Sequence, residues 1–241
     1  MEHNHDANIL LISSSRVHGQ AYMGYCEALL KDYWQGVDEI LFIPFALQDH
    51  GAYTRYVQEA LSPMGLKVVG IESQADYAEA VRTAKGIYIG GGNTFLLTKT
   101  LYDHQLLAPI RERVLSGEAR YMGSSAGSNV ACPTMKTTND MPIVYPPAFD
   151  TLNLVPFQIN AHYLDPVDGD THQGETREDR IREFHQWNRA PVLGLREGAL
   201  VHIVYAEQKR ATLKGIHGAK LFQADQPPVE YQPGDDLSFL L

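Results

Sequence analysis

The sequence predicts an α/β protein with a mostly parallel central sheet, helices on both faces and additional antiparallel strands towards the C-terminus. Three observations carry this expectation. Short β-rich runs alternate with amphipathic helical patterns through the first half of the chain. Two Gly-rich turns, at Gly90–Gly92 and Gly123–Gly127, each stand between a strand and a helix. Beyond residue 190 the strand-like runs follow one another more closely.

The first strand is read at Asn8 to Ser13. Tyr22, Tyr25, Cys26, Leu29, Leu30 and Tyr33 then repeat at the i, i+3, i+4, i+7 spacing of a helix face. "DEILFIPFA" reads as strand, "YTRYVQEALSPMG" as a helix stopped by Pro and Gly, "KVVGIE" as strand, "YAEAVRTA" as helix and "GIYIGGG" as strand. Thr94 to Leu115 holds one or two helices, and "ARYMG" is the next strand. Such βαβ order implies parallel pairing with right-handed crossovers.

Beyond Pro133 the pattern loosens. "PIVYPPAFD" reads as a Pro-rich loop, Phe157 to Asn160 as a short strand, Thr176 to Asn188 as a helix, and "VLGL" and "ALVHIVYAE" as strands. Ala211 to Ala224 reads as antiparallel edge strands and "DQPPVEYQPGDDL" as a polar tail. No repeat or linker divides the chain, so one domain over residues 1–241 is expected.

Composition narrows the function classes. With 44% apolar and 20% charged residues the chain is ordinary for a globular protein and unlike a disordered one. Its net charge of -9 and the lack of a Lys/Arg cluster argue against nucleic acid as a partner. The apolar run Ile9 to Ile12 is far shorter than the roughly 20 residues of a membrane span, and no basic segment precedes it, so a cytoplasmic protein without membrane contact is expected. Cys26 and Cys132 are read as reduced and buried.

Gly123, Ser125 and Gly127 form a Gly-x-Ser-x-Gly elbow at the carboxyl end of a strand, where open α/β sheets place their ligands. The glycines permit a turn tight enough to expose the serine hydroxyl, and backbone N–H groups near Ala126 and in the Gly91 turn could hold an oxyanion. A serine nucleophile needs a base, and His162 follows a predicted strand in "FQINAHYLD". Asp140 in "TTNDMP" and Glu197 in "GLREGA" are both candidates to orient it, and spacing alone does not choose between them. "DPVDGDTHQGE" gathers Asp165, Asp168, Asp170, His172 and Glu175 but lacks an EF-hand or a His-Glu-x-x-His pattern, so no metal and no cofactor are expected. His3 and His5 read as a solvated terminus.

The segments "FIPFA", "GGGNTF", "SAGSNVACPTMKTTNDMPIV", "FQINAHY", "GETREDRIREF" and "GLREGA" together resemble the α-aspartyl dipeptidases, serine peptidases also called peptidase E, over nearly the whole chain. The resemblance implies a fold like that of the class I glutamine amidotransferases and hydrolysis of dipeptides with an unblocked N-terminal aspartate (Asp-Xaa). It implies Ser125 as nucleophile and His162 as base. It leaves the third member on Asp140 or Glu197, with the order nucleophile, His, Glu favouring Glu197. Two positions depart from the family's usual residues: Ser124 stands where a bulky aromatic is frequent, and Ser128 where an alanine is.

Thr176 and Asp179 form a Thr-x-x-Asp capping pattern, and Arg177 lies in the first turn of the helix it opens, where the macrodipole disfavours a cation unless an anion binds beside it. The bland alternative is an ion pair with Glu175 or Glu178. With the resemblance added, Arg177 is expected to hold the substrate's aspartyl carboxylate, and Asn93, Thr94 and His172 are further candidates for that pocket. The partner expected is a small peptide, the assembly a monomer or homodimer. The rival readings are a serine hydrolase of β-aspartyl linkages and a non-catalytic binding protein of the same fold.

Overall fold

Runs of four to six residues rich in Ile, Leu and Val form strands whose side chains are buried on both sides, as a sheet covered by helices on each face requires. The computed structural model describes residues 6–166 and 174–241. In chain order the elements are β1 (Ala7–Ile12), α1 (Glu27–Tyr33), β2 (Ile40–Ile43), α2 (His50–Leu61), β3 (Val68–Gly70), α3 (Tyr77–Thr83), β4 (Gly86–Ile89), α4 (Thr94–Asp103), α5 (Leu107–Leu115), β5 (Arg120–Ser124), α6 (Ala126–Asn129), β6 (Gln158–Ala161), α7 (Arg177–Trp187), β7 (Val192–Leu195), β8 (Ala199–Tyr205), β9 (Arg210–Gly215), β10 (Ala219–Phe222) and β11 (Val229–Tyr231).

The main sheet has the order β3-β2-β4-β5-β1-β8-β9. Its first five strands are mutually parallel, while β8 runs antiparallel to β1 and β9 antiparallel to β8. The two-residue alternation of side chains splits the core in two. Ile9, Leu11, Ile87, Ile89 and Tyr121 face one way, onto Val81, Leu97, Leu101, Ile110 and Val114 of α3, α4 and α5. Leu10, Ile12, Tyr88 and Met122 face the other, onto Leu30 and Tyr33 of α1 and Val57 and Leu61 of α2. The expected mostly parallel sheet with helices on both faces is therefore the fold observed. No helix among the described residues is long and apolar enough to cross a membrane.

The expected antiparallel strands of the last third are present, in an arrangement the sequence does not specify. The strands there divide between two sheets: β8 and β9 extend the main one, and a second has the order β11-β10-β7-β6. Strand β10 lies between β7 and β11 and is no edge strand. The stretch expected as a polar tail contains β11, and Leu237 and Leu240 beyond it are buried. Burying a leucine side chain contributes about 1.5–3 kcal/mol, enough for two residues to anchor a segment whose composition reads as solvated. Near the N-terminus the predicted helix begins only at Glu27, because Met23 takes a left-handed backbone conformation (φ 56°) and Gly24–Cys26 form a single 3-10 turn.

The parallel order brings the carboxyl ends of β4, β5 and β1 side by side, with Ile89 opposite Gly123 and Ile12 opposite Ser124. Whatever follows these three strands shares one edge of the sheet.

Candidate active site

Ser125 follows β5 with φ 51° and ψ -111°, a strained conformation for a residue with a side chain. Its two glycine neighbours explain how the chain tolerates it. A Cβ on Gly123 would meet the Gly127 carbonyl, and one on Gly127 would meet the Ile89 carbonyl of the adjoining strand. The buried Tyr121 hydroxyl donates to the Gly127 carbonyl at 2.6 Å, and Ser125 N–H donates to Ile12 O at 2.9 Å. Ser128 lies within hydrogen-bonding distance of the Ile12 and Gly123 carbonyls and accepts from Ile12 N–H at 2.9 Å. Its hydroxyl therefore ties β1 to β5 beneath the elbow. Ser124 is fully buried and bonds to the Tyr88 hydroxyl at 3.0 Å, so it faces the core.

His162 immediately follows β6 and also has a positive φ, 55°. Its Nε2 is 2.9 Å from Ser125 Oγ and its Nδ1 is 2.9 Å from Glu197 Oε1. Glu197 lies in the β7–β8 turn, where Gly198 takes φ 83° and the His217 ring bonds to the Glu197 carbonyl at 2.6 Å. Serine, imidazole and carboxylate thus form one hydrogen-bonded line, assembled from three separate connections. A neutral imidazole in that line donates from Nδ1 to the carboxylate and accepts at Nε2 from the serine.

Sequence reasoning missed the group that seats this histidine. Ser13, at the end of β1 and fully buried, accepts from His162 N–H at 2.9 Å and donates to Leu195 O at 2.7 Å. It joins the main sheet to the second sheet directly behind the imidazole. In "LISSS" it reads only as the last residue of the first strand, and only its place beside the elbow strand distinguishes it.

Asp140 does not join the line. Its Oδ2 accepts from Thr94 N–H at 2.8 Å, Thr94 Oγ1 at 2.6 Å and Thr138 Oγ1 at 3.0 Å. A carboxylate so engaged holds the start of α4. Thr94 is fully buried in this network, and Asn93 caps α4 by accepting from Leu96 N–H while donating to Met141 O. Both residues, expected in the substrate pocket, have their side chains committed to the β4–α4 turn. Gly91 packs against the nucleophile, since a Cβ built on it would lie 3.1 Å from Ser125 Cβ. Ala126 is the first residue of α6.

Arg177 is the first residue of α7, behind the expected cap, in which Thr176 and Asp179 bond reciprocally at 3.1 and 3.0 Å. The two carboxylates that could have paired with it are engaged elsewhere, Glu175 near Arg180 and Glu178 with Arg182 and Lys220. Among the described residues Arg177 makes no ion pair. Partial burial and then Arg180 lower the pKa of its guanidinium, opposed by the nearby Asp140 carboxylate. A half-buried arginine without an ion pair among the described residues is suited to an anionic ligand.

His172, like Asp168 and Asp170 of the acidic run and like His3 and His5, lies outside the described residues. Asp165 of the same run is held by Arg196 at 2.6 Å, which keeps its carboxyl below the usual range. No group of three potential metal ligands occurs among the described residues.

The family model for peptidase family S51 matches residues 9–210. A Drosophila melanogaster protein named "Probable alpha-aspartyl dipeptidase" is 49% identical over 236 residues, covering 97% of each chain. Peptidase E of Streptomyces coelicolor is 45% identical over 234 residues, covering 97% of this chain and 95% of the relative. The crystal structure of a peptidase from an acI-B1 Actinobacterium matches with a TM-score of 0.72 at 15% identity over 98% of both chains, a likeness of fold alone. With a family match across most of its length and relatives this similar over nearly all of it, the chain belongs to peptidase family S51.

Proposed function

We propose that this serine peptidase hydrolyses dipeptides bearing an unblocked N-terminal aspartate, with Ser125, His162 and Glu197 as its catalytic line. The observation that carries this reading is the pair of 2.9 Å contacts from His162, one to Ser125 Oγ and one to Glu197 Oε1. Names of the relatives, "alpha-aspartyl dipeptidase" and "Peptidase E", favour it over a β-aspartyl hydrolase or a silent binding protein.

Ser125 Oγ attacks the aspartyl carbonyl carbon while its proton passes to His162 Nε2, and Glu197 stabilises the imidazolium that forms. The backbone N–H groups of Gly91 and Ala126 receive the developing oxyanion. As the C–N bond breaks, His162 returns the proton to the leaving amine and Xaa departs. A water then gives its proton to His162 and attacks the aspartyl-enzyme, whose collapse frees aspartate and regenerates the serine.

Arg177 receives the aspartyl side-chain carboxylate. A hydrogen bond to a charged group contributes about 1.5–3 kcal/mol, so aspartate is favoured over asparagine by about tenfold or more. The test compares Asp-Leu, Asn-Leu, N-acetyl-Asp-Leu and a β-Asp-Arg substrate, with wild type and Ser125→Ala, in EDTA. The expected result is cleavage of Asp-Leu alone, by wild type alone. Cleavage by Ser125→Ala, or a preference for the β-linked substrate, overturns the reading.

A further inference from the structure

A scissile bond lying over Ser125 has two ends, and the Arg177 and Asp140 side accounts for only one of them. Gly91 and Gly92 also line a concavity of about 540 Å³ that neither Thr94 nor Asp140 lines. Its walls are Tyr22, Leu47, Tyr53 and Tyr56, supplied by the loops after β1 and β2 and by α2. None of the residues placed on the aspartyl side lines it. A Cβ built on Gly90 would lie 2.5 Å from the Tyr53 hydroxyl and one on Gly91 3.1 Å from Ser125 Cβ, which puts the inner end of the concavity next to the nucleophile.

One cation lines this concavity. Arg16 lies exposed in the segment that runs on from Ser13 at the end of β1. Its guanidinium sits 5.2 Å from the centre of the Tyr56 ring and donates to the Tyr56 hydroxyl at 2.6 Å. Stacking and hydrogen bond together hold the planar group in one orientation. Among the described residues no carboxylate pairs with it. Asp49 also lines the concavity, but its Oδ1 accepts from Ala52 N–H as the cap of α2.

We propose that this concavity is the leaving-residue subsite: it takes an apolar Xaa side chain against Leu47 and the tyrosines, while Arg16 pairs with the dipeptide's free C-terminal carboxylate. The inference rests on the proposed aspartyl dipeptidase reading and names the other half of its substrate. Distance supports it. In a dipeptide three bonds separate the scissile carbon from the carboxylate carbon, so the two lie within about 4 Å of each other. A substrate seated on Ser125 therefore keeps its carboxylate close to that serine, and Gly91, which lines the concavity, packs directly against it. Arginine can meet a carboxylate with two parallel N–H donors, a match an amide terminus does not offer.

The test measures kcat/KM for Asp-Leu, Asp-Leu amide and Asp-Gly with wild type, Arg16→Gln, Arg16→Lys and Leu47→Ala. Melting temperatures check that each exposed-site variant is folded. Wild type is expected to prefer the free acid to the amide by about tenfold, the lower end for a charge-assisted contact at an exposed arginine. Arg16→Gln brings that ratio close to one, Arg16→Lys retains part of it, and Leu47→Ala narrows the preference for Asp-Leu over Asp-Gly. A ratio that Arg16→Gln leaves untouched, or a wild type indifferent to the amide, overturns the inference while Asp-Leu cleavage upholds the proposed function. If wild type cleaves no aspartyl substrate, both readings fall together.

Discussion

Replacing Glu197 by Gln and, separately, Asp140 by Asn separates two carboxylates that the sequence leaves equivalent. Glu197 touches His162 Nδ1 at 2.9 Å and its side chain is about half exposed (49%). Glutamine keeps an oxygen for the imidazole N–H but removes the charge that stabilises an imidazolium. Loss of that charge, with the tautomer no longer enforced, is expected to lower kcat by roughly 10²–10⁴-fold, or about 2.7–5.5 kcal/mol of transition-state stabilisation. At so exposed a position stability should change by no more than about 0.5 kcal/mol.

Asp140 has the opposite profile. Its Oδ2 accepts three hydrogen bonds that knit α4 to the Thr138 segment. Turning charged bonds into neutral ones at a partly exposed site costs about 2–4 kcal/mol in all. For a domain of this size that lowers Tm by roughly 5–15 °C. The assay is kcat for Asp-Leu hydrolysis beside thermal denaturation. If Asp140→Asn abolishes turnover with Tm unchanged while Glu197→Gln retains activity within about tenfold, the assignment of Glu197 is refuted.

Three further outcomes follow from the same contacts. Ser13→Ala leaves the buried His162 N–H without a partner and takes one of two donors from the Leu195 carbonyl, which keeps Tyr163 N–H, costing about 1–3 kcal/mol in stability; a drop in kcat of about tenfold with KM little changed, read by steady-state kinetics, separates positioning of the imidazole from general destabilisation. Gly127→Ala drives a Cβ into the Ile89 carbonyl, so expressed protein should be unfolded or destabilised by about 3 kcal/mol or more in a denaturant titration. His202 has its pKa lowered by burial and then by Lys214 and Arg120, so the unfolded chain takes up its proton first as the pH falls through about 6.5. Stability is therefore lost on the acid side, and Tm should fall less between pH 7 and 5.5 in His202→Gln than in wild type.

The first half of the fold was legible because strand and helix periodicities alternate there regularly, and several elements are bounded by glycine, proline or a capping side chain such as Asp49, Asp76 or Asn93. The expected Thr176 cap and the Gly123–Gly127 elbow are local features of this kind, each specified within a few residues. The tail after Ala224 was misread for the opposite reason: its order comes from Val229–Tyr231 pairing with β10 and from Leu237 and Leu240 reaching the core, partners that composition does not reveal. Ser13 escaped notice on the same ground, since a serine at a strand end acquires its role from His162, 149 residues away.

By itself the sequence determined the alternating parallel architecture, the elbow that presents Ser125 and the short set of residues from which a base and an orienting acid could come. Those are consequences of periodicity, backbone freedom and side-chain chemistry, all of which act over a few neighbouring residues. Only the tertiary structure decided which carboxylate meets His162, that the carboxylates flanking Arg177 pair elsewhere, and that Arg16 and Gly91 border one concavity. Each of those depends on bringing together chain segments tens of residues apart, which the pairing of strands accomplishes and local sequence does not encode.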